Sequence, residues 1–159
     1  MRVSRVLRFA IPVLLLVVVS ACKDSDTTTA PGSLANVTIN APGTVSSGQS
    51  FTIDLAATAV GVNNVQNGQV TVTLPSPLTV DSVDASSGTS ATFSNGTGAT
   101  ITWTLGVLDA NTQATLHVNV AGNLPPGSAA QTLTLQAVLT ATGIGAGDAT
   151  AQASVQLMP

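Results

Sequence analysis

Between residues 51 and 139 the chain alternates apolar and polar positions in five separate runs. In 51–59, Phe51, Ile53, Leu55, Ala57 and Ala59 share one phase, and Thr52, Asp54 and Thr58 take the other. In 70–74, Val70, Val72 and Leu74 alternate with Thr71 and Thr73; in 99–105, Ile101, Trp103 and Leu105 alternate with Thr100, Thr102 and Thr104. In 114–120, Ala114, Leu116, Val118 and Val120 oppose Thr115, His117 and Asn119, and in 131–139, Leu133, Leu135, Ala137 and Leu139 oppose Thr132, Thr134 and Gln136. A period of two is the signature of a strand with one buried face, because successive side chains point to opposite sides of the sheet. Weaker strands are predicted at 36–40, 78–83, 90–94 and 149–157. The phase slips between Val80 and Val83, which predicts a bulge or bend. Asn67-Gly68 and Asn95-Gly96 read as tight hairpin turns, and Gly143-Ile-Gly145-Ala-Gly147 as a further hairpin turn.

No stretch after residue 35 carries a helical period, so the prediction is all-β. Seven to nine short strands over residues 36–159, each with one apolar face, cannot remain an open sheet in water. Two sheets packed face to face bury all those faces at once. The size suits one Ig-like antiparallel β-sandwich. The polar phase is filled largely by Thr, whose branched side chain favours strands and whose hydroxyl remains wettable.

The first residues follow different rules. Arg2, Arg5 and Arg8 precede Phe9 to Val19, an uncharged run interrupted only by Pro12. At about 1.5 Å per residue that run is too short for a hydrocarbon core of about 30 Å. A basic segment and a short apolar segment are the marks of a signal peptide. Val19-Ser20-Ala21-Cys22 then resembles the lipobox of bacterial lipoproteins, in which the Cys thiolate accepts a diacylglyceryl group. The competing reading, an ordinary secretory peptide cut near Ala21, leaves it a coincidence that the one Cys of the chain stands where the motif requires it. The expected organisation is therefore a lipoprotein signal peptide at 1–21, a lipidated N-terminus and flexible linker at 22–35, and the sandwich at 36–159. The linker reading rests on the polar, Thr-rich run from Lys23 to Pro31-Gly32. By resemblance to enteric lipoproteins, Lys23 after the Cys implies export to an outer membrane. A lone thiol leaves no internal disulfide, so the domain must be held by its core.

Charge narrows the chemistry. From Cys22 onward there are one Lys and seven Asp, a net charge of 1 − 7 = −6. That excludes a nucleic-acid binder, which needs Lys and Arg for phosphate contacts. With no Glu, no Tyr and one His, an active site has few groups to draw on. His117 falls on the outward phase with neither a Cys nor a second His to complete a zinc site, and reads as a surface polar residue. Asp81 and Asp84 stand beside a Ser- and Gly-rich stretch, yet lack the dense Asp/Asn/Gly pattern of calcium loops. Asp109 and Asp148 read as turn residues. Gly-x-Ser-x-Gly does not occur, and no helix follows the glycines at 143–147 to hold a phosphate. Sugar-binding sandwiches stack ligands on exposed aromatics; Phe51 and Trp103 lie on the apolar phase, which leaves Phe93 alone. No catalytic residue, metal ligand or cofactor site is assigned.

Three blocks carry a resemblance. Pro42-Gly-Thr-Val-Ser-Ser-Gly48-Gln-Ser-Phe51-Thr-Ile53 is similar to the opening of a bacterial surface-repeat family, the domain of unknown function numbered eleven. Val70-Thr-Val-Thr-Leu74-Pro75-Ser-Pro77-Leu78-Thr79 resembles its second block, and Ile101-Thr-Trp103-Thr-Leu105-Gly106-Val-Leu108 with the strand Ala114 to Val120 its third. The chain departs from the family near the end, where the usual Asn of the penultimate strand is replaced by Gln136 or is missing. The resemblance implies a non-catalytic sandwich on the cell surface or in the envelope. Cohesin-type sandwiches fit the pattern next, and would imply partner docking. The reading is thus a non-enzymatic, lipid-anchored envelope protein presenting one sandwich for structural or adhesive contacts to an unknown protein or surface polymer. The alternative is a ligand-binding module, docking a partner or a carbohydrate, on the same anchor. Growth on labelled fatty acid should mark the protein, and Cys22→Ala should abolish the label; an unlabelled, soluble exported protein would exclude the anchor.

Overall fold

The alternating runs become strands of two stacked sheets in the computed structural model, which describes residues 35–142 and 149–159. In chain order the strands are β1 (Ala35–Asn40), β2 (Thr44–Ser46), β3 (Ser50–Ala59), β4 (Val65–Thr73) and β5 (Leu78–Ala85), then β6 (Ser90–Phe93), β7 (Thr100–Leu108), β8 (Gln113–Gly122), β9 (Gln131–Thr142) and β10 (Ala149–Met158). One sheet has the order β1-β3-β8-β5 and the other β2-β10-β9-β4-β7-β6. The described chain is all-β, an Ig-like sandwich.

Every buried side chain among the described residues is apolar. Ile53, Leu55, Leu116, Val118 and Val120 from the four-stranded sheet face Val70, Val72, Ile101, Trp103, Leu135 and Leu139 from the six-stranded one. Such burial is the main favourable term in folding, about 25 cal/mol per Å² of apolar surface removed from water. The layers close tightly at Gly122. A Cβ there would lie 2.9 Å from Leu157 Cδ2 and 3.1 Å from Leu78 Cδ2, so no larger residue fits without displacing the core.

Trp103, on the central part of β7, is fully buried. Its indole N–H is satisfied without water, donating to Thr89 Oγ1 at 3.1 Å, while the Thr89 hydroxyl donates to the Ser86 carbonyl at 2.8 Å. Ser86 also bonds β8: its N–H donates to the Thr115 carbonyl at 2.9 Å, and the Thr115 N–H donates to its Oγ at 3.1 Å. The β5–β6 connection is thereby fastened to both sheets.

Several expectations are corrected. The described residues form ten strands rather than seven to nine; the addition is β2, whose three residues are too few to show an alternation. It pairs parallel with β10, Val45 opposite Leu157, so the six-stranded sheet is mixed rather than wholly antiparallel. The first strand begins at Ala35, one residue before the expected domain start. Asn67-Gly68 is not a hairpin turn but lies within β4, which begins at Val65. Asn67 has φ +53° and β4 shifts register there against both β7 and β9. The left-handed backbone that makes Asn-Gly a turn signal serves a bulge equally well. Asn95-Gly96 does lie between antiparallel neighbours, β6 and β7, but in a connection of residues 94–99. The expected bulge between Val80 and Val83 is present, as β5 slips against β8 between Val80 and Ser82. The glycines at 143–147 lie outside the described residues, as do the segment 1–21 expected to be a signal peptide, Cys22 and Asp148.

Because Trp103 fills the interlayer and anchors the β5–β6 connection, Trp103→Ala should destabilise the domain by about 3–5 kcal/mol in chemical denaturation. The native protein should show the blue-shifted emission of a buried indole, and exposed-like emission would contradict this packing.

Candidate functional surface

The interlayer holds no polar side chain, so the chemistry of the described chain lies on its outer faces and connections. The two outer faces differ. Outward residues of the six-stranded sheet are Thr, Ser and Gln in the main, such as Thr71 beside Thr102 and Gln136 beside Gln152. The four-stranded sheet carries Asp54, Asp81, Asp84 and His117, all exposed. The remaining described carboxylate, Asp109, is in the β7–β8 connection. No Lys or Arg occurs among the described residues.

Strand register builds these groups into rows. Asn40, Asp54, His117 and Asp84 stand side by side across β1, β3, β8 and β5. His117 Nδ1 lies 2.7 Å from Asp54 Oδ1, with the two side chains 53% and 51% exposed. In the next row the Thr52 hydroxyl donates to Asn119 Oδ1 at 2.9 Å, and Asn119 Nδ2 donates to Ser82 Oγ at 2.9 Å. Gln113 Nε2 donates to Thr58 Oγ1 at 3.2 Å further along β3. The β5 bulge belongs to this face: it inserts Asp81 between Val80 and Ser82 and brings its Oδ2 to 3.4 Å from the Ser50 hydroxyl. The slip also returns Ser82 and Asp84 to the outward phase beside Asn119 and His117.

His117 is on the outward phase, as expected from the sequence. Its pairing with Asp54 was not expected, because the two residues lie 63 positions apart. An imidazole held by a carboxylate through Nδ1 has half the arrangement of a hydrolytic triad. The other half is not assembled: among the described residues no hydroxyl bonds to His117, and Ser82 and Ser86 Oγ are engaged with Asn119 and the Thr115 N–H. Nor does any group of three or more His, Cys, Asp or Glu side chains converge to hold a metal ion among the described residues. Asp81 and Asp84 are separated by the bulge and engage different rows.

Asp109 behaves as the turn residue its sequence indicates. Its carbonyl accepts from the Thr112 N–H at 3.0 Å, and its carboxylate accepts from Asn64 Nδ2 at 3.0 Å. The sequence reading of the aromatics needs adjustment. Phe93 is half-buried against the core rather than free, Phe51 likewise, and Trp103 is enclosed. No described aromatic offers an exposed ring for stacking a sugar.

Known structures share this architecture. A cohesin module from a Clostridium perfringens family 33 glycoside hydrolase superposes with a TM-score of 0.56 at 14% identity, covering 79% of this chain and 97% of that one. The CARDB domain of a Pyrococcus furiosus protein, solved in complex with di-metal ions, gives 0.54 at 15% identity, with 78% and 92% covered. A non-cellulosomal cohesin from Archaeoglobus fulgidus gives 0.51 at 12% identity, with 78% and 92% covered. At these identities the likeness shows the Ig-like fold alone. No protein-family model and no curated protein matches the chain. The surface-repeat resemblance therefore rests on the quoted motifs.

Because both members of the Asp54–His117 pair are half exposed, their coupling should be small. A double-mutant cycle with Asp54→Asn and His117→Gln should give less than about 1 kcal/mol at neutral pH, decreasing further with added salt. A coupling several times larger would show a desolvated pair and reopen the question of a catalytic role.

Proposed function

We propose that this protein is a non-enzymatic binding module, tethered to a bacterial membrane through lipid on Cys22, whose contacts are made by the outer face of the four-stranded sheet. One observation carries the reading: the exposed ionisable groups of the described strands share that single face, Asp54, His117 and Asp84 in one row across three strands, while the opposite face has none. Partner contacts draw on fixed polar groups and complementary charge. The cohesin likeness in shape supports docking of a partner as the mode of action. Carbohydrate binding is the less favoured form of the same idea, because Trp103 is enclosed and Phe51 and Phe93 are half-buried against the core.

The anchor and its location are part of the proposal. The lipobox-like Val19-Ser20-Ala21-Cys22 and the basic segment before it support lipidation, and Lys23 supports the outer membrane or cell surface as the destination. The three surface-repeat motifs support a role in the envelope. Acyl chains contribute about 0.8 kcal/mol per buried CH₂, and two or more chains give stable anchoring without a spanning helix.

Crosslinking in intact cells, followed by identification of the captured molecule, tests the reading. Asp54→Lys combined with Asp84→Lys should abolish capture, whereas Gln136→Lys with Gln152→Lys on the opposite face should leave it unchanged, both variants remaining folded. Equal capture by all three proteins would remove the four-stranded face from the proposal.

A further inference from the structure

The dipeptide Asn-Gly occurs twice among the described residues, and the fold places its two copies in opposite environments. Its chemistry is general. The backbone nitrogen after an Asn can attack the side-chain amide carbon, and Gly leaves that nitrogen unshielded because it has no Cβ.

Asn67 is restrained. Its Nδ2 donates to Thr142 Oγ1 at 3.1 Å, and its backbone is fixed at φ +53° in the β4 bulge. Gly68 is buried and in register with Gly106, with Leu105 Cβ 3.2 Å from where its own Cβ would lie. Asn95 is free. It sits in the β6–β7 connection, whose ends are clasped by the Ser94 N–H on the Thr100 carbonyl, the Thr100 N–H on Ser94 Oγ and the Gly98 N–H on the Leu78 carbonyl. Between those clasps Asn95, Gly96 and Thr97 are exposed. Neither the Asn95 side chain nor the Gly96 N–H has a hydrogen-bond partner among the described residues. Gly96 has φ +105° and open space where a Cβ would be.

We propose that Asn95 is a site of spontaneous deamidation and that Asn67 is protected from it by the fold. Hydroxide removes the Gly96 amide proton, and the nitrogen attacks Asn95 Cγ. The Cγ–Nδ2 bond breaks, Nδ2 leaves as ammonia and a succinimide closes. Water then opens one of the two imide C–N bonds, giving aspartate or isoaspartate; the net change is water taken up and ammonia released, with no oxidant or reductant. Each product adds a carboxylate to a connection that carries none, in a chain with four aspartates among its described residues. The isoaspartyl product also lengthens the main chain by one carbon, beside the Ser94–Thr100 clasp.

The test is to age the folded full-length protein in mildly alkaline buffer, digest it, and follow both peptides by mass spectrometry with separation of the aspartyl and isoaspartyl forms. A parallel sample is aged in denaturant. Reaction at Asn67 requires the strand to open, so in the folded protein Asn95 should convert faster by at least about tenfold. In denaturant the two rates should converge, and Asn95→Gln should remove the conversion from this loop in the folded protein. Comparable rates at both sites in the folded protein, an unreacted Asn95, or a ratio that persists in denaturant would each overturn the proposal.

Discussion

The interlayer between the two sheets must be filled by apolar side chains alone, and the rest of the molecule is arranged around that demand. A polar group buried without a partner would cost about 1–3 kcal/mol, a large share of a small domain's stability. The chain meets the condition strictly. No polar or charged side chain is buried among the described residues, and no buried side-chain nitrogen or oxygen lacks a partner. Trp103 is the one described core residue that brings a polar atom inward, and Thr89 Oγ1 accepts the hydrogen bond of its indole N–H. That single bond sets where the chain can pass from β5 to β6, because Thr89 must reach the indole while Ser86 stays bonded to Thr115 of β8.

The same demand determines the surface. Once the inner phase of every strand is committed, ionisable groups can occupy only the outer phase or the connections. Strand register then decides which of them meet. Asp54, His117 and Asp84 come from three strands distant in sequence, and they share a row because β8 lies between β3 and β5. The β5 bulge is part of this arrangement. Were Asp81 paired in regular alternation rather than bulged out, Ser82 and Asp84 would exchange faces with Val83, since a one-residue slip reverses every side chain beyond it.

That division also explains what could be read from the chain before the fold was seen. Alternation assigned Ile53, Leu55, Ile101, Trp103, Leu116 and Leu135 to the core and His117 to the surface, because period two is a local property. The Val80–Val83 slip was legible for the same reason. Partnership was not legible. Asp54 and His117 are each plainly outward in sequence, but their contact depends on which strands are neighbours, which no local pattern encodes. The three-residue β2 was too short to carry a pattern. Asn67-Gly68 was misplaced because one backbone conformation serves both hairpin turns and bulges, and only pairing with β7 and β9 distinguishes them.

The character of the outer face bears on how it could recognise a partner. Its charges are few, and at physiological ionic strength exposed charges are screened beyond about 8 Å, so long-range steering would be weak. The groups that remain are short. Thr52, Ser82, Asn119 and Thr58 have few rotatable bonds, and the Thr52–Asn119–Ser82 row is already internally hydrogen-bonded. Ordering long side chains on binding costs about 0.5–1.5 kcal/mol each, and a face of short, pre-bonded groups avoids much of that loss. The existing bonds also set a condition: a partner must displace them or use the lone pairs and donors they leave over. Recognition by such a face would depend on shape and hydrogen-bond geometry at contact, with Asp54, Asp84 and His117 setting the preferred sign of charge along one row.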